Sequence, residues 1–324
     1  MKPFESYLSP KLDEFLTYRQ SLGYSLKTIR YHLLLFDRYV MEKNAGWHSF
    51  QPNFFLEMRS NIKLEKTSVN ANIWAIRNFF QFLIRQGHIK ENPLQDIPLL
   101  KKNTIVPFIF SPEQTNQLLT VICKRIRKTR RHFLKDLASY VAVFLLARCG
   151  MRISEPLRLK RHHYRRDDRT LYIEKTKFCK DRLIPIPKDV VSEIENYLSV
   201  RQSILPHDDS PFLLVRTDQK PLTDHQVRFL FHQAVKEIGL EQPKRVVGNV
   251  NFLQPTPHSL RHSFAVYTLL KIRERGGNPQ HALPILAAYM GHSEYKYTSV
   301  YLRVTDAISR KNLVDFSLWQ EKKE

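Results

Sequence analysis

Thr170-Leu171-Tyr172-Ile173-Glu174 and Leu183-Ile184-Pro185-Ile186, separated by a basic turn from Lys175 to Arg182, are the stretch that decides the fold class. Each run is rich in β-branched and aromatic residues and too short for a helix, so the segment is expected to form a β-hairpin with a cationic tip. On either side the periodicity is helical. Upstream, Ser111-Pro112-Glu113-Gln114 offers an N-cap, a first-turn proline and a glutamine at the third helical position, the pattern of a capping box. Downstream, Thr223 to Gln226 repeats that pattern before an amphipathic helix through Ile238. Thr256-Pro257 then caps a helix that begins His258-Ser259-Leu260-Arg261-His262-Ser263-Phe264. The expected class is therefore mainly α, with one small β-hairpin set into the C-terminal part of the chain.

Farther out, residues 1 to about 100 read as helices joined by short turns. Ser9-Pro10 is expected to start a helix carrying Leu12, Phe15, Leu16 and Arg19; Ser25 is expected to cap a second, through Tyr39. Ser68 is expected to cap a third, in which Val69, Ile73, Ile76, Phe80 and Leu83 form one apolar stripe. From Glu91-Asn92-Pro93 through Pro98 to Lys101-Lys102-Asn103 the periodicity stops, which marks the end of a domain and a linker. Two domains are expected: a helical one over residues 1–100, a linker over 101–110, and a second domain over 111–324. Within the last, residues 306–324, with Leu313, Phe316, Leu318 and Trp319, have the pattern of a helix that docks on a neighbouring copy or on its own domain.

Composition narrows the function class. The 324 residues hold 52 Lys plus Arg against 31 Asp plus Glu, a formal charge of +21. Three widely spaced cysteines, Cys123, Cys149 and Cys179, exclude a disulfide scaffold and contain no Cys-x-x-Cys pair for structural zinc. No run approaches the roughly 20 apolar residues of a membrane helix, and Met1-Lys2-Pro3-Phe4-Glu5-Ser6-Tyr7 lacks the pattern of a signal peptide. A cytoplasmic protein without a membrane partner is expected. The charge is uneven: residues 1–100 carry net +4, whereas residues 120–182 alone carry net +13. Such a concentration favours a polyanion, nucleic acid before an anionic membrane, over a merely well-solvated surface.

Charge names no reaction; the polar constellation does more. Taken singly, each member has an ordinary explanation. Arg152 and Glu155, one helical turn apart, make a surface ion pair elsewhere. Lys177 is one lysine among many. His258 and Arg261 share a helix face near its N-terminus, where free amides favour an anion such as phosphate. His292 fits a helix end, and Tyr301 is one of 14 tyrosines.

In order and spacing, however, these residues resemble the tyrosine recombinases, the phage integrase family. That family's first arginine motif, approximately Thr-Gly-Leu-Arg-Ile-Ser-Glu, is matched by Cys149-Gly150-Met151-Arg152-Ile153-Ser154-Glu155. Its hairpin-turn lysine, often in Gly-Lys-Gly-x-Lys-x-Arg, is matched without the glycines by Thr176-Lys177-Phe178-Cys179-Lys180-Asp181-Arg182. Lys177 is the candidate there, with Lys175 and Lys180 as rivals. The second arginine motif, His-x-Leu-Arg-His, is intact as His258-Ser259-Leu260-Arg261-His262. Leu-Gly-His, nine residues before the family's nucleophilic tyrosine, becomes Met290-Gly291-His292 nine before Tyr301. Residues 111 to about 305 carry the resemblance, and residues 3–100 are similar in architecture to the family's helical, SAM-like core-binding domain. The hairpin sequence and Leu283-Pro284-Ile285-Leu286 are similar to a branch associated with transposon-like mobile elements. With only about 100 residues before the linker, the extra N-terminal arm-binding domain of some phage integrases is not expected.

The resemblance implies a site-specific recombinase that cleaves and rejoins DNA through a covalent 3′-phosphotyrosine, serving integration, excision or transposition. Tyr301 would be the nucleophile. Arg152 and Arg261 would hold the non-bridging oxygens, His258 would take the tyrosine proton, and His292 would bond a phosphate oxygen. Lys177 would protonate the leaving 5′ oxygen and Glu155 would orient its neighbours. Neither metal nor cofactor is implied. The partners implied are double-stranded DNA with inverted-repeat sites and a homo- or hetero-tetramer on two paired sites. Two other readings stay open: a type IB topoisomerase-like enzyme that nicks and reseals one duplex, and a catalytically silent DNA-binding relative.

Overall fold

The computed structural model describes residues 2–174, 181–292, 298–302, 304 and 305. The chain divides into two compact units, Met1–Thr104 and Ile105–Glu324, with the first strand of the second unit beginning at the boundary residue Thr104. Among the described residues no helix is long and apolar enough to cross a membrane.

The first unit is built from α1 (Ser9–Ser21), α2 (Lys27–Glu42), α3 (Pro52–Asn61) and α4 (Lys66–Arg85). Helix α4 packs along α2, and α1 closes on both. The stripe Val69, Ile73, Ile76, Phe80 and Leu83 is buried throughout, against an aromatic core that includes Phe15, Phe36, Phe55 and Phe79. The serine caps do not form: α1 starts at Ser9 itself behind Leu8, α2 starts after Leu26, and α4 starts after Glu65, two residues before Ser68. Buried Leu8 and part-buried Leu26 explain two of these shifts, since burying an apolar residue at the helix entrance outweighs a hydroxyl cap. The buried Asp37 carboxylate of α2 instead anchors the chain ahead of α1, accepting the Glu5 and Ser6 N–H groups at 2.8 and 3.2 Å. The aperiodic stretch after α4 is held against that helix. Asn70 exchanges two bonds of 2.8 Å with the Leu100 backbone, and Arg77 donates to the Leu94 and Ile97 carbonyls at 3.1 and 2.7 Å.

The second unit contains β1 (Thr104–Val106), α5 (Pro112–Lys124), α6 (Phe133–Cys149), β2 (Tyr164–Arg165), β3 (Thr170–Ile173), β4 (Arg182–Pro185), α7 (Lys188–Ile204), α8 (Asp224–Glu237), β5 (Arg245–Val247), β6 (Val250–Phe252), α9 (Pro257–Glu274) and α10 (Pro279–Met290). Helix α6 is apolar around most of its circumference and sits at the centre, with α5, α7, α8 and α9 packed on it. The capping boxes at Ser111 and Thr223 form with both reciprocal bonds. The hairpin strands pair antiparallel, with Leu171 opposite Ile184 and Ile173 opposite Arg182, and β2 adds a third strand beside β3. A second sheet, in the order β1-β6-β5, was not legible in the sequence. The hairpin tip with Lys175, Lys177 and Lys180, and the tail over 306–324, lie outside the described residues.

Candidate active site

Two helix ends build the site. Helix α6 stops at Gly150, whose φ of +58° is the left-handed conformation that glycine adopts at low cost. A Cβ at that position would lie 2.4 Å from the Phe264 ring, so the position has neither the backbone nor the room for a side chain. Helix α10 stops in the same way at Gly291, with φ of +64°. The last carbonyls of a helix have no partner within it and carry the negative end of its dipole.

Three arginines bind those carbonyls. At the end of α10, Tyr289 O accepts from Arg182 Nε at 2.8 Å, Met290 O accepts from Arg261 Nη2, and Gly291 O accepts from Arg152 Nη2 at 2.8 Å. At the end of α6, Gly150 O accepts from Arg261 Nη1 at 2.7 Å. Glu155, 6% exposed, lies between two of the three. It accepts both guanidinium nitrogens of Arg182 at 3.1 and 2.9 Å, Arg152 Nη1 at 3.0 Å and the Arg152 backbone N–H at 2.8 Å. Burial alone would raise the Glu155 pKa; the bonds and charge of Arg182, the Arg152 amide and the charge of Arg261 outweigh it and hold the carboxyl below its usual value. One carboxylate against three guanidinium groups leaves a surplus of positive charge. Arg261, 1% exposed, shows the strain: burial first and the neighbouring Arg152 second lower its pKa to about 9.

Helix α9 delivers the imidazoles. His258 and His262 are one turn apart on one face, with ring centres 4.6 Å apart and planes at 85°. His262 Nδ1 lies 2.9 Å from the Tyr301 hydroxyl. Tyr301 is 4% exposed, and burial raises its pKa, with Arg261 and Arg152 opposing. His292 follows the α10 cap, sets its Nδ1 2.8 Å from the Thr298 hydroxyl, and stacks toward the Tyr301 ring at 6.4 Å. Desolvation is the first cause lowering all three imidazoles, His258 to about 4, His262 to about 3 and His292 to about 4. His258 keeps an exposed surface, and the charges of Arg261 and Arg152 add to the lowering there. The neutral state leaves His262 Nδ1 free to accept the Tyr301 proton.

Arg152, Glu155, Arg261, His292 and Tyr301 thus join one connected cluster, with His258 packed on its edge. Lys177 lies outside the described residues. Two residues of the cluster had no role from sequence. Arg182 is hidden there as the last charge of a basic turn. His262 stands inside the second arginine motif, and its spacing of four from His258 is the one signal that it shares the face.

The model of the phage integrase family matches residues 109–307. The chain is 29% identical to tyrosine recombinase XerA of Pyrococcus furiosus over 312 residues, covering 95% of this chain and 96% of that protein. It is 28% identical to the putative integrase/recombinase y4rE of Sinorhizobium fredii over 307 residues, covering 93% of each. The fold is similar to that of the XerH site-specific recombinase bound to its palindromic difH substrate, with a TM-score of 0.68 and 19% identity, over 92% of this chain and 80% of that one.

Proposed function

The chain belongs to the phage integrase family and is a site-specific tyrosine recombinase, and from that premise we propose how its own residues carry the reaction on duplex DNA. Tyr301 attacks the scissile phosphorus; its proton passes to His262, which meets the hydroxyl at 2.9 Å, in place of His258, the acceptor expected from the sequence, and the DNA 3′ end becomes joined to the tyrosine oxygen. The 5′ oxygen leaves with a proton supplied by Lys177. The phosphotyrosine keeps the energy of the broken ester, so a 5′ hydroxyl from a second strand reverses the step and completes the exchange. Arg152 and Arg261 face the charge that builds on the non-bridging oxygens. Each is already oriented by carbonyl groups, and the N–H groups not so used are preorganised for phosphate. His292 supplies a further donor, and Glu155 holds Arg152 in register.

The observation that carries this assignment is the 2.9 Å contact between His262 Nδ1 and a tyrosine hydroxyl beside a surplus of guanidinium charge. A phenol with an ordinary pKa of about 10, raised further by burial, needs such an acceptor to attack at neutral pH. The partner is duplex DNA with inverted half-sites, and two such sites are paired by four copies; the +21 charge supports a DNA partner, and the similar fold of a lambda integrase tetramer bound to a Holliday junction supports the four copies. The test is incubation with nicked duplexes drawn from the DNA flanking the chain's own gene, followed by denaturing electrophoresis. A protein-linked 3′ end is expected, and Tyr301→Phe should remove it. An adduct that survived this substitution would place the nucleophile elsewhere.

A further inference from the structure

From the last residue of α5 toward α6 runs Lys124-Arg125-Ile126-Arg127-Lys128-Thr129-Arg130-Arg131, six cations in eight residues, all six exposed. Such a run is ordinarily a solvated loop, but here it is tied down at three places. Arg125 donates to Glu237 and Gln233 of α8 at 2.5 and 3.0 Å. Arg127 forks onto Asp136 of α6 at 2.7 and 2.8 Å. The Arg131 carbonyl accepts the Thr217 hydroxyl at 3.2 Å. Two arginines thus fix the loop, and Lys124, Lys128, Arg130 and Arg131 face solvent from a set backbone. His132 is lowered by desolvation first and then by Arg127, Lys135 and Arg131.

A groove of about 580 Å³ lies beside the loop, with Arg125, Arg127 and Lys135 on one wall and His225 and Phe229 of α8 on the other. Phe229 is 57% exposed and stacks on His225 with planes 12° apart. The loop and the arginine cluster stand at opposite ends of α6, whose 17 residues span roughly 25 Å. That is about seven base pairs of duplex.

We propose that this loop and the adjoining groove form a second phosphate-binding surface, separate from the cleavage pocket, that grips the backbone of duplex DNA flanking the cleaved site. The proposal rests on the recombinase function above and adds a path for the DNA beyond the reacting phosphate. Its contacts go to phosphate and sugar, so they add affinity and register without sequence preference.

The test uses the full chain and a random-sequence duplex of about 40 base pairs, with affinity measured across a salt series. Each phosphate contact contributes about −0.9 to the slope of log K against log salt, so K128Q/R130Q/R131Q should make the slope shallower by about two to three. In the wild-type chain, Lys124 and Lys128 should become shielded from an amine-acylating reagent when the duplex is added. An unchanged slope, or lysines labelled equally with and without DNA, would overturn the proposal and point to an acidic protein surface as the loop's partner. A wild-type chain that bound no duplex at all would be a different result, overturning the recombinase function itself.

Discussion

His258, His262 and His292 each lie close enough to Arg261 to feel its charge, and each is harder to protonate folded than unfolded. Their folded values of about 4, 3 and 4 lie below the ordinary 6.5, so the unfolded chain binds more protons in between. Stability from these groups is complete above about pH 6.5 and is lost as pH falls toward their folded values. The melting temperature of the DNA-free chain should therefore decline on acidification through that window, and less steeply for His262→Gln. At neutral pH the depressed value keeps His262 neutral, with a lone pair to meet the Tyr301 hydroxyl. His262→Ala is expected to slow adduct formation by about 100-fold, at the low end for a lost general base. Its residual rate should climb with pH toward tyrosine ionisation, which a merely structural loss would not produce. The sequence makes Arg152, Arg261, His292 and Tyr301 legible because their motifs are short and local. It gives the tyrosine proton to His258, because no local pattern shows that His262, on the same helix face, is the one that meets a tyrosine 39 residues away.

A helix end is the element that organises the cluster: the last two carbonyls of α10 and that of its capping Gly291 receive Arg182, Arg261 and Arg152. Gly291, which closes that helix, has a positive φ, and a Cβ there would lie 2.9 Å from the Arg182 guanidinium. Gly239, after α8, has φ of +69° but open space around it. Both Gly→Ala changes should cost about 1–2 kcal/mol for the left-handed backbone. Only Gly291→Ala should also slow cleavage, by displacing Arg182 from Glu155; equal cleavage rates for the two variants would refute this. Arg182→Lys tests the same joint. A single ammonium cannot reproduce the fork onto Glu155 together with the bond to Tyr289 O, so at least a tenfold loss in adduct rate is expected with little change in DNA affinity. At this scale the sequence succeeds where a cap is closed by its own neighbours, as at Ser111 and Thr223. It fails at Ser9, Ser25 and Ser68, where tertiary packing sets the start. The strands β1, β5 and β6 are three residues each, too short for a period, and β1 pairs with a strand far along the chain.

At the scale of the molecule the surplus charge is the property that acts at a distance. DNA affinity should fall linearly with log salt, by about 0.9 per phosphate neutralised; a flat titration would remove electrostatics as the basis of binding. The sequence by itself determined the mainly helical class, the hairpin, the family and the charge concentration over residues 120–182, because periodicity, motif spacing and formal charge are properties of residues near one another in the chain. Only the tertiary structure decided how that charge is divided. It commits Arg125 and Arg127 to fixing a loop, buries Arg261, gives Arg182 to Glu155, and brings His262 to Tyr301. The reason is physical. A guanidinium is read identically from sequence wherever it occurs, whereas its work is set by which carbonyl, carboxylate or open solvent the folded backbone places within about 3 Å of it.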